Sequence, residues 1–199
     1  VEMEDGINEY GLSVGLTFVY PTIIKAGFNA GLLVRYLLEK CRTTNEAIQT
    51  LKQIPIASQQ TLTIADNTGN IAVVECNAEN VEVIKANKKG NFVIATNEFS
   101  SENMKKYNNY NIDDWKAEER YNAGYNALIT NKNNFSFDLA KDILSGKYGF
   151  MCQYDRKTNA DTVWSVIYDI KNKKVYRVEG NPSRKKFKED LRLKFNYEN

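Results

Sequence analysis

The chain has 199 residues, 42% of them apolar and 26% charged, which suits a globular protein with a sizeable buried core. A net charge of +2 gives no electrostatic ground for a nucleic-acid or membrane partner, and no apolar run is long enough to span a bilayer. Histidine is absent, which removes Ser-His-Asp and Cys-His nucleophile systems and most catalytic zinc sites together. Cys41, Cys76 and Cys152 are far apart, odd in number and outside any Cys-x-x-Cys pair. They read as buried free thiols of a reducing, cytoplasmic compartment rather than as disulfides or metal ligands.

In chain order, Asp5-Gly6 reads as a turn, and Gly11 stops any helix starting at Asn8. Residues 12–19 are apolar or small and predict a strand buried on both faces. Pro21 and Gly27 mark a loop. Leu33, Leu37 and Cys41 form an apolar stripe that predicts a helix over 30–41. Thr43 and Glu46 have capping-box spacing and open a second helix to about Ile54, ended by Pro55. A meander follows, with strands at 62–65, 71–76, 81–85 and 92–96, punctuated by Asp66-Asn67-Thr68-Gly69-Asn70 and Lys88-Lys89-Gly90.

Residues 112–129 predict a helix with Trp115, Tyr121, Tyr125 and Leu128 inward, and 137–144 a shorter one ended by Ser145-Gly146. Strands at 162–170 and 175–178 close the core. Beyond Ser183, Phe187, Leu191 and Phe195 recur at helical spacing among basic residues, predicting an amphipathic surface segment. The order is strand, two helices, four strands, two helices, two strands. It predicts an α+β protein of one domain, with antiparallel sheets covered by helices.

Three places carry candidate chemistry. Asn8, at the mouth of the first strand, either satisfies local backbone groups or aims an amide into a site. Asn97 ends the strand predicted over 92–96, where loops carry function on a rigid scaffold. By itself it reads as an Asn ending a strand, which is common. Arg120 by itself reads as a surface arginine pairing with glutamate on its own helix. With no histidine, the free α-amino group, with a pKa of about 7.7–8.0, is the natural base for hydrolysis.

Asn8-Glu9-x-Gly11-Leu12 before a strand, Thr96-Asn97-x-Phe99, and Arg120 in Ala117-Glu118-Glu119-Arg120 follow one another in a familiar order. Together they resemble the N-terminal-nucleophile cysteine amidohydrolases: the choloylglycine hydrolase, penicillin V acylase and isopenicillin acyltransferase-like families. Leu62 to Asp66 with Glu75, and Thr162 to Ile167 with Gly180-Asn181-Pro182, extend the resemblance from Asp5 to about Leu191. It implies an αββα sandwich, incomplete at its N-terminus.

The resemblance also implies that Asn97 and Asn8 stabilise an oxyanion and that Arg120 tunes the nucleophile. Glu98 and Phe99 would contact a small-molecule amide substrate. No metal or cofactor is implied. Glu98 stands where many relatives have His, and Ala117 where the family has Ser. The family nucleophile is an N-terminal Cys, whereas this chain opens on Val1. The expectation is therefore the C-terminal portion of a longer enzyme, with a homo-oligomer or a companion nucleophile-bearing chain as partner. The rival expectation is a non-catalytic member that keeps the scaffold and binds a ligand.

Overall fold

The structure, a computed structural model, describes residues 2–86, 90–112, 115–152 and 159–192. Lys88, Lys89 and Phe195, which entered the turn and tail predictions, lie outside the described residues. Two compact units divide the chain, one reaching Ala117 and the other beginning at Glu118.

The first unit is an antiparallel sheet with two helices on one face. Strands β1 (Asp5–Ile7), β2 (Ser13–Phe18), β3 (Gln60–Ala65), β4 (Ile71–Cys76) and β5 (Val81–Lys85) pair in sequence order, with α1 (Ala30–Lys40) and α2 (Thr44–Leu51) inserted after β2. Register pairs Val14 with Ile64, Leu16 with Leu62, Leu62 with Val74 and Val74 with Val83. These residues share one face and form a continuous core with Leu33, Val34 and Leu37 of α1 and Ala47, Ile48 and Leu51 of α2. Each fully buried leucine there contributes about 1.5–3 kcal/mol. The opposite face of β2 carries Gly15 and Thr17, beside Thr63 and Thr61. The strand is thus apolar towards the helices only, a correction to the expectation of apolar burial on both sides.

Local chemistry sets the helix starts. Asn29 caps α1 by accepting from Leu32 N, at 2.9 Å. Thr43 caps α2 by accepting from Glu46 N at 3.2 Å, and Glu46 reaches back to Arg42 N at 2.7 Å. Thr43 is the cap as predicted, but Glu46 bonds the residue before it rather than the cap N–H, so only the Thr43 half of the capping box forms. It starts a helix that stops at Leu51 rather than Ile54.

Two other expectations are corrected. Asp5-Gly6 is strand rather than turn, because Asp5, Gly6 and Ile7 pair with Gly15, Val14 and Ser13. The turn falls at Asn8–Gly11, where Gly11 takes φ +81° at no Cβ cost. Residues 92–96 form no regular strand. Their apolar pattern reports partial burial, and burial alone does not specify ladder pairing.

The second unit holds α3 (Ala117–Thr130), α4 (Phe137–Leu144) and a three-stranded antiparallel sheet of β6 (Trp164–Asp169), β7 (Lys174–Glu179) and β8 (Lys188–Glu189). Helix α3 starts at Ala117 because Trp115 and Lys116 take φ +54° and +57°, outside the helical region. Its buried positions are the small residues Ala117, Ala123, Gly124 and Ala127, while Tyr121 and Tyr125 stack on each other at 6.2 Å. Tyr125 is therefore not inward as expected. Ser136 caps α4 through Leu139 N, and Phe137 packs on Tyr176 of β7 at 4.3 Å. The described part of the tail is not helical: Asp190 N bonds Val175 O at 2.8 Å, which extends the sheet and leaves Leu191 exposed.

Candidate active site

Beyond β2 the chain leaves the sheet and borders a cleft of about 170 Å³. Val19 and Tyr20 form one side, Asn97 and Glu98 another, and Asn108, Asn109, Tyr110 and Ile112 the third. Each wall is held by a polar clamp rather than by a secondary-structure ladder. Gln59, fully buried, donates to Tyr20 O at 2.9 Å and Tyr107 O at 3.0 Å, and accepts from Thr22 N and Oγ1 at 3.0 and 2.6 Å. One amide thus ties the segment after β2 to the 3₁₀ turn Lys105–Tyr107, with its hydrogen-bonding capacity filled.

Asn97 donates from Nδ2 to Phe18 O at 2.9 Å, so the last residue of β2 fixes its amide. Next along the chain, Phe99 N donates to Asn108 Oδ1 at 2.8 Å and Asn108 Nδ2 donates back to Phe99 O at 2.9 Å. The Asn108 side chain imitates a β-bridge. Glu75 of β4, almost wholly buried, then accepts from N and Oγ of both Ser100 and Ser101 at 2.6–3.1 Å. Beneath these clamps Val19, Phe99 and Met104 form a small core with Tyr107 packed against it. Trp115 stacks on Tyr20 at 5.6 Å with the rings 22° apart.

Of the expected site residues, the structure brings Asn97 and Glu98 into one cleft. Phe99 is 1% exposed and belongs to the core beneath, so it supplies rigidity and cannot touch a substrate in the cleft. Asn8 is also reassigned. Its Nδ2 donates to Leu38 O at 3.0 Å and Cys41 O at 2.8 Å, and its Oδ1 accepts from Tyr10 N and Leu12 N. Both N–H bonds are used, leaving no donor for an oxyanion. Asn8 also sits at the start of β2, whereas Asn97 is bound to its end. From Leu12 to Phe18 the strand rises about 20 Å, at roughly 3.3 Å per residue. The two amides cannot share one oxygen.

Arg120 lies in the first turn of α3, half-buried, in the second unit. Sequence reasoning missed Gln59, Asn108 and Tyr20. No local motif marks a residue that acts by joining segments far apart in the chain.

The cysteines are core thiols. Burial pushes Cys76 up to about 12, against a hydrogen bond from Gln60, with Glu75 raising it further. Burial also raises Cys41 and Cys152. Among the described residues, no group of three Cys, Asp or Glu could hold a metal ion, and no helix is long and apolar enough to cross a membrane. Two larger grooves of 810 and 610 Å³ in the second unit are shallow and lined largely by charged side chains. Many of those charges are already matched, as in Lys141–Asp138, Lys147–Asp142 and Arg192–Asp190.

The fold is that of the N-terminal-nucleophile hydrolases. A variant of the conjugated bile acid hydrolase from Clostridium perfringens superposes with a TM-score of 0.62 at 15% identity, covering 89% of this chain and 70% of that one. A second variant of that enzyme gives 0.62 at 16% identity, over 98% and 78% of the two chains. Penicillin V acylase from Agrobacterium tumefaciens gives 0.56 at 15% identity over 90% of this chain, which spans 63% of that enzyme. Such identities speak for architecture alone. Within this class, the chain belongs to the acyl-coenzyme A:6-aminopenicillanic acid acyl-transferase family, whose model matches residues 1–184. No curated protein matches the sequence.

Proposed function

We propose that the cleft after β2 is part of the active site of an enzyme that breaks linear amide C–N bonds, with Asn97 as oxyanion donor. The observation that carries this reading is the anchoring of the Asn97 amide by Phe18 O in the lining of the cleft. A donor held before reaction costs no reorganisation when charge develops.

The nucleophile is an N-terminal Cys thiolate outside this sequence, with its own α-amine as base. The thiolate attacks the amide carbon, and the carbonyl electron pair moves to oxygen beside the Asn97 amide. The C–N bond breaks as the amine leaves with a proton from the α-ammonium, forming a thioester. Water or an acceptor amine then takes the acyl group. Arg120 is proposed to polarise the thiolate. Asn8 is proposed as a positioning residue.

In the complete enzyme, Asn97→Ala lowers kcat by about 10²–10³ with KM little changed, the usual cost of one oxyanion donor. Steady-state kinetics on the purified variant checks this, and unchanged kcat rejects the assignment.

A second reading, a binding protein on the same scaffold, is favoured by one observation: every cysteine in this sequence is a buried, high-pKa thiol. Intact-mass spectrometry of protein expressed from its full reading frame separates the two. A chain or companion chain beginning with Cys supports the enzyme, and a sole species starting at or near Val1 supports the binder.

A further inference from the structure

Resting on the amidohydrolase reading above, we infer that Gln59 and Asn108 are positioning residues of the reaction: they close a ring of side-chain amides that sets the direction of the Asn97 amide. The ring can be followed bond by bond. Asn97 Nδ2 donates to Phe18 O at 2.9 Å. Two residues on, Tyr20 O accepts from Gln59 Nε2 at 2.9 Å, and the same nitrogen donates to Tyr107 O at 3.0 Å. The next residue, Asn108, bonds Phe99 N and Phe99 O at 2.8 and 2.9 Å, and Phe99 lies two residues beyond Asn97. Three side-chain amides thus join the segments at 18–20, 107–108 and 97–99 into a closed circuit.

The circuit matters because Asn97 follows residues 92–96, which form no regular strand. One bond to Phe18 O restrains the amide nitrogen, but the side chain turns about two torsions, so its direction depends on where the backbone of 97–99 sits. A reacting group must be held within about 0.5 Å of its productive place by the bonds of its supporting residues. Asn108 supplies such bonds to both backbone groups of Phe99, in a residue 1% exposed where water cannot replace them. Gln59 is fully buried and outside the lining of the cleft, so it acts only through the segments it joins. Glu75 secures the far side at Ser100 and Ser101, so cutting one link of the ring loosens Asn97 without releasing the whole segment.

Side-chain ¹⁵N relaxation on protein expressed from its full reading frame tests this, with the Asn97 signals assigned by their loss in Asn97→Ala. In the wild type the Asn97 amide should have an order parameter near the rigid value of about 0.85, and in Asn108→Ala and Gln59→Met it should fall below about 0.6. The Asn8 amide, bound to the end of α1 at 3.0 and 2.8 Å, is the internal control and should stay rigid in both variants. Asn108 is half-buried, and its variant decides the question if Gln59→Met does not fold. An Asn97 amide that is mobile in the wild type, one that stays rigid in Asn108→Ala, or an Asn8 amide that loosens equally would each overturn the inference. In the complete enzyme, Asn108→Ala should lower kcat by about 10–10², the cost of a misplaced group, and add nothing to Asn97→Ala, because both act on one donor. Multiplicative losses would also overturn it. A loosened amide with no kcat effect of Asn97→Ala would sink the amidohydrolase reading alone. An effective Asn97→Ala beside an amide that stays rigid would sink this inference alone.

Discussion

Asn8 and Asn97 carry the same side chain, and the backbone around each decides its work. Asn8 closes the turn between β1 and β2 with its oxygen and ties down the C-terminal carbonyls of α1 with its nitrogen. Those carbonyls have no intrahelical partner, so a side-chain donor replaces water that burial excludes. Asn8→Ala should cost about 2–4 kcal/mol, since several buried groups lose partners at once. Urea unfolding measures it. In the complete enzyme the folded fraction of this variant should keep kcat within a few-fold, unlike Asn97→Ala, and that contrast separates the positioning role from the chemical one. Sequence alone left both readings of Asn8 open. The motif marks the turn correctly, but a turn asparagine and an oxyanion asparagine look alike until the helix that receives the amide is in place.

At the scale of elements, Asp66 joins a hairpin to a helix. It ends β3, accepts from Thr68 N and Oγ1 at 3.0 and 2.5 Å within its own turn, and accepts from Thr44 N at the start of α2 at 2.8 Å. Burial raises its carboxyl, and the hydrogen bonds from Thr68 and Thr44 outweigh that and hold it below its ordinary 3.8. The ionised form is therefore the one the fold prefers. Its stabilisation is complete above the unfolded value and is lost as pH falls through the lowered folded value. The stability gap between the wild type and Asp66→Asn should be constant from pH 7 to about 5 and shrink below about pH 4, followed by urea unfolding across that range. A gap independent of pH would mean that the Asp66 charge is not what binds hairpin to helix.

Most elements of this kind were legible. Capping boxes, Gly turns and alternating apolar residues act within a few positions, and α1, α2, β3, β4 and β5 follow from them. The misses have a common cause in distant partners. β1 exists because β2 pairs with it, the segment just after residues 92–96 is held at Asn97, Phe99 and Ser100 by Phe18, Asn108 and Glu75, and the start of α3 is set by backbone at Trp115 and Lys116.

On the scale of the whole molecule, the thiols decide what chemistry this sequence can perform unaided. All three sit where folding has excluded water: Cys41 behind α1 and Cys76 in β4 within the main core, and Cys152 in the second unit. Raised pKa values keep them as thiols near neutral pH, and the thiolate is the reactive form. In native protein at pH 7.5, a disulfide reagent such as 5,5′-dithiobis(2-nitrobenzoate) should label none of them within minutes. All three should react at once in guanidinium. Labelling should follow global opening, so destabilising variants such as Asn8→Ala react faster in proportion. On the amidohydrolase reading proposed above, protein expressed from its full reading frame should show one additional thiol that reacts immediately while it stays folded, because a nucleophile must be exposed and ionised in the native state. If one of the three internal cysteines carried that fast phase instead, the nucleophile would lie within this sequence and the N-terminal Cys assignment would fail.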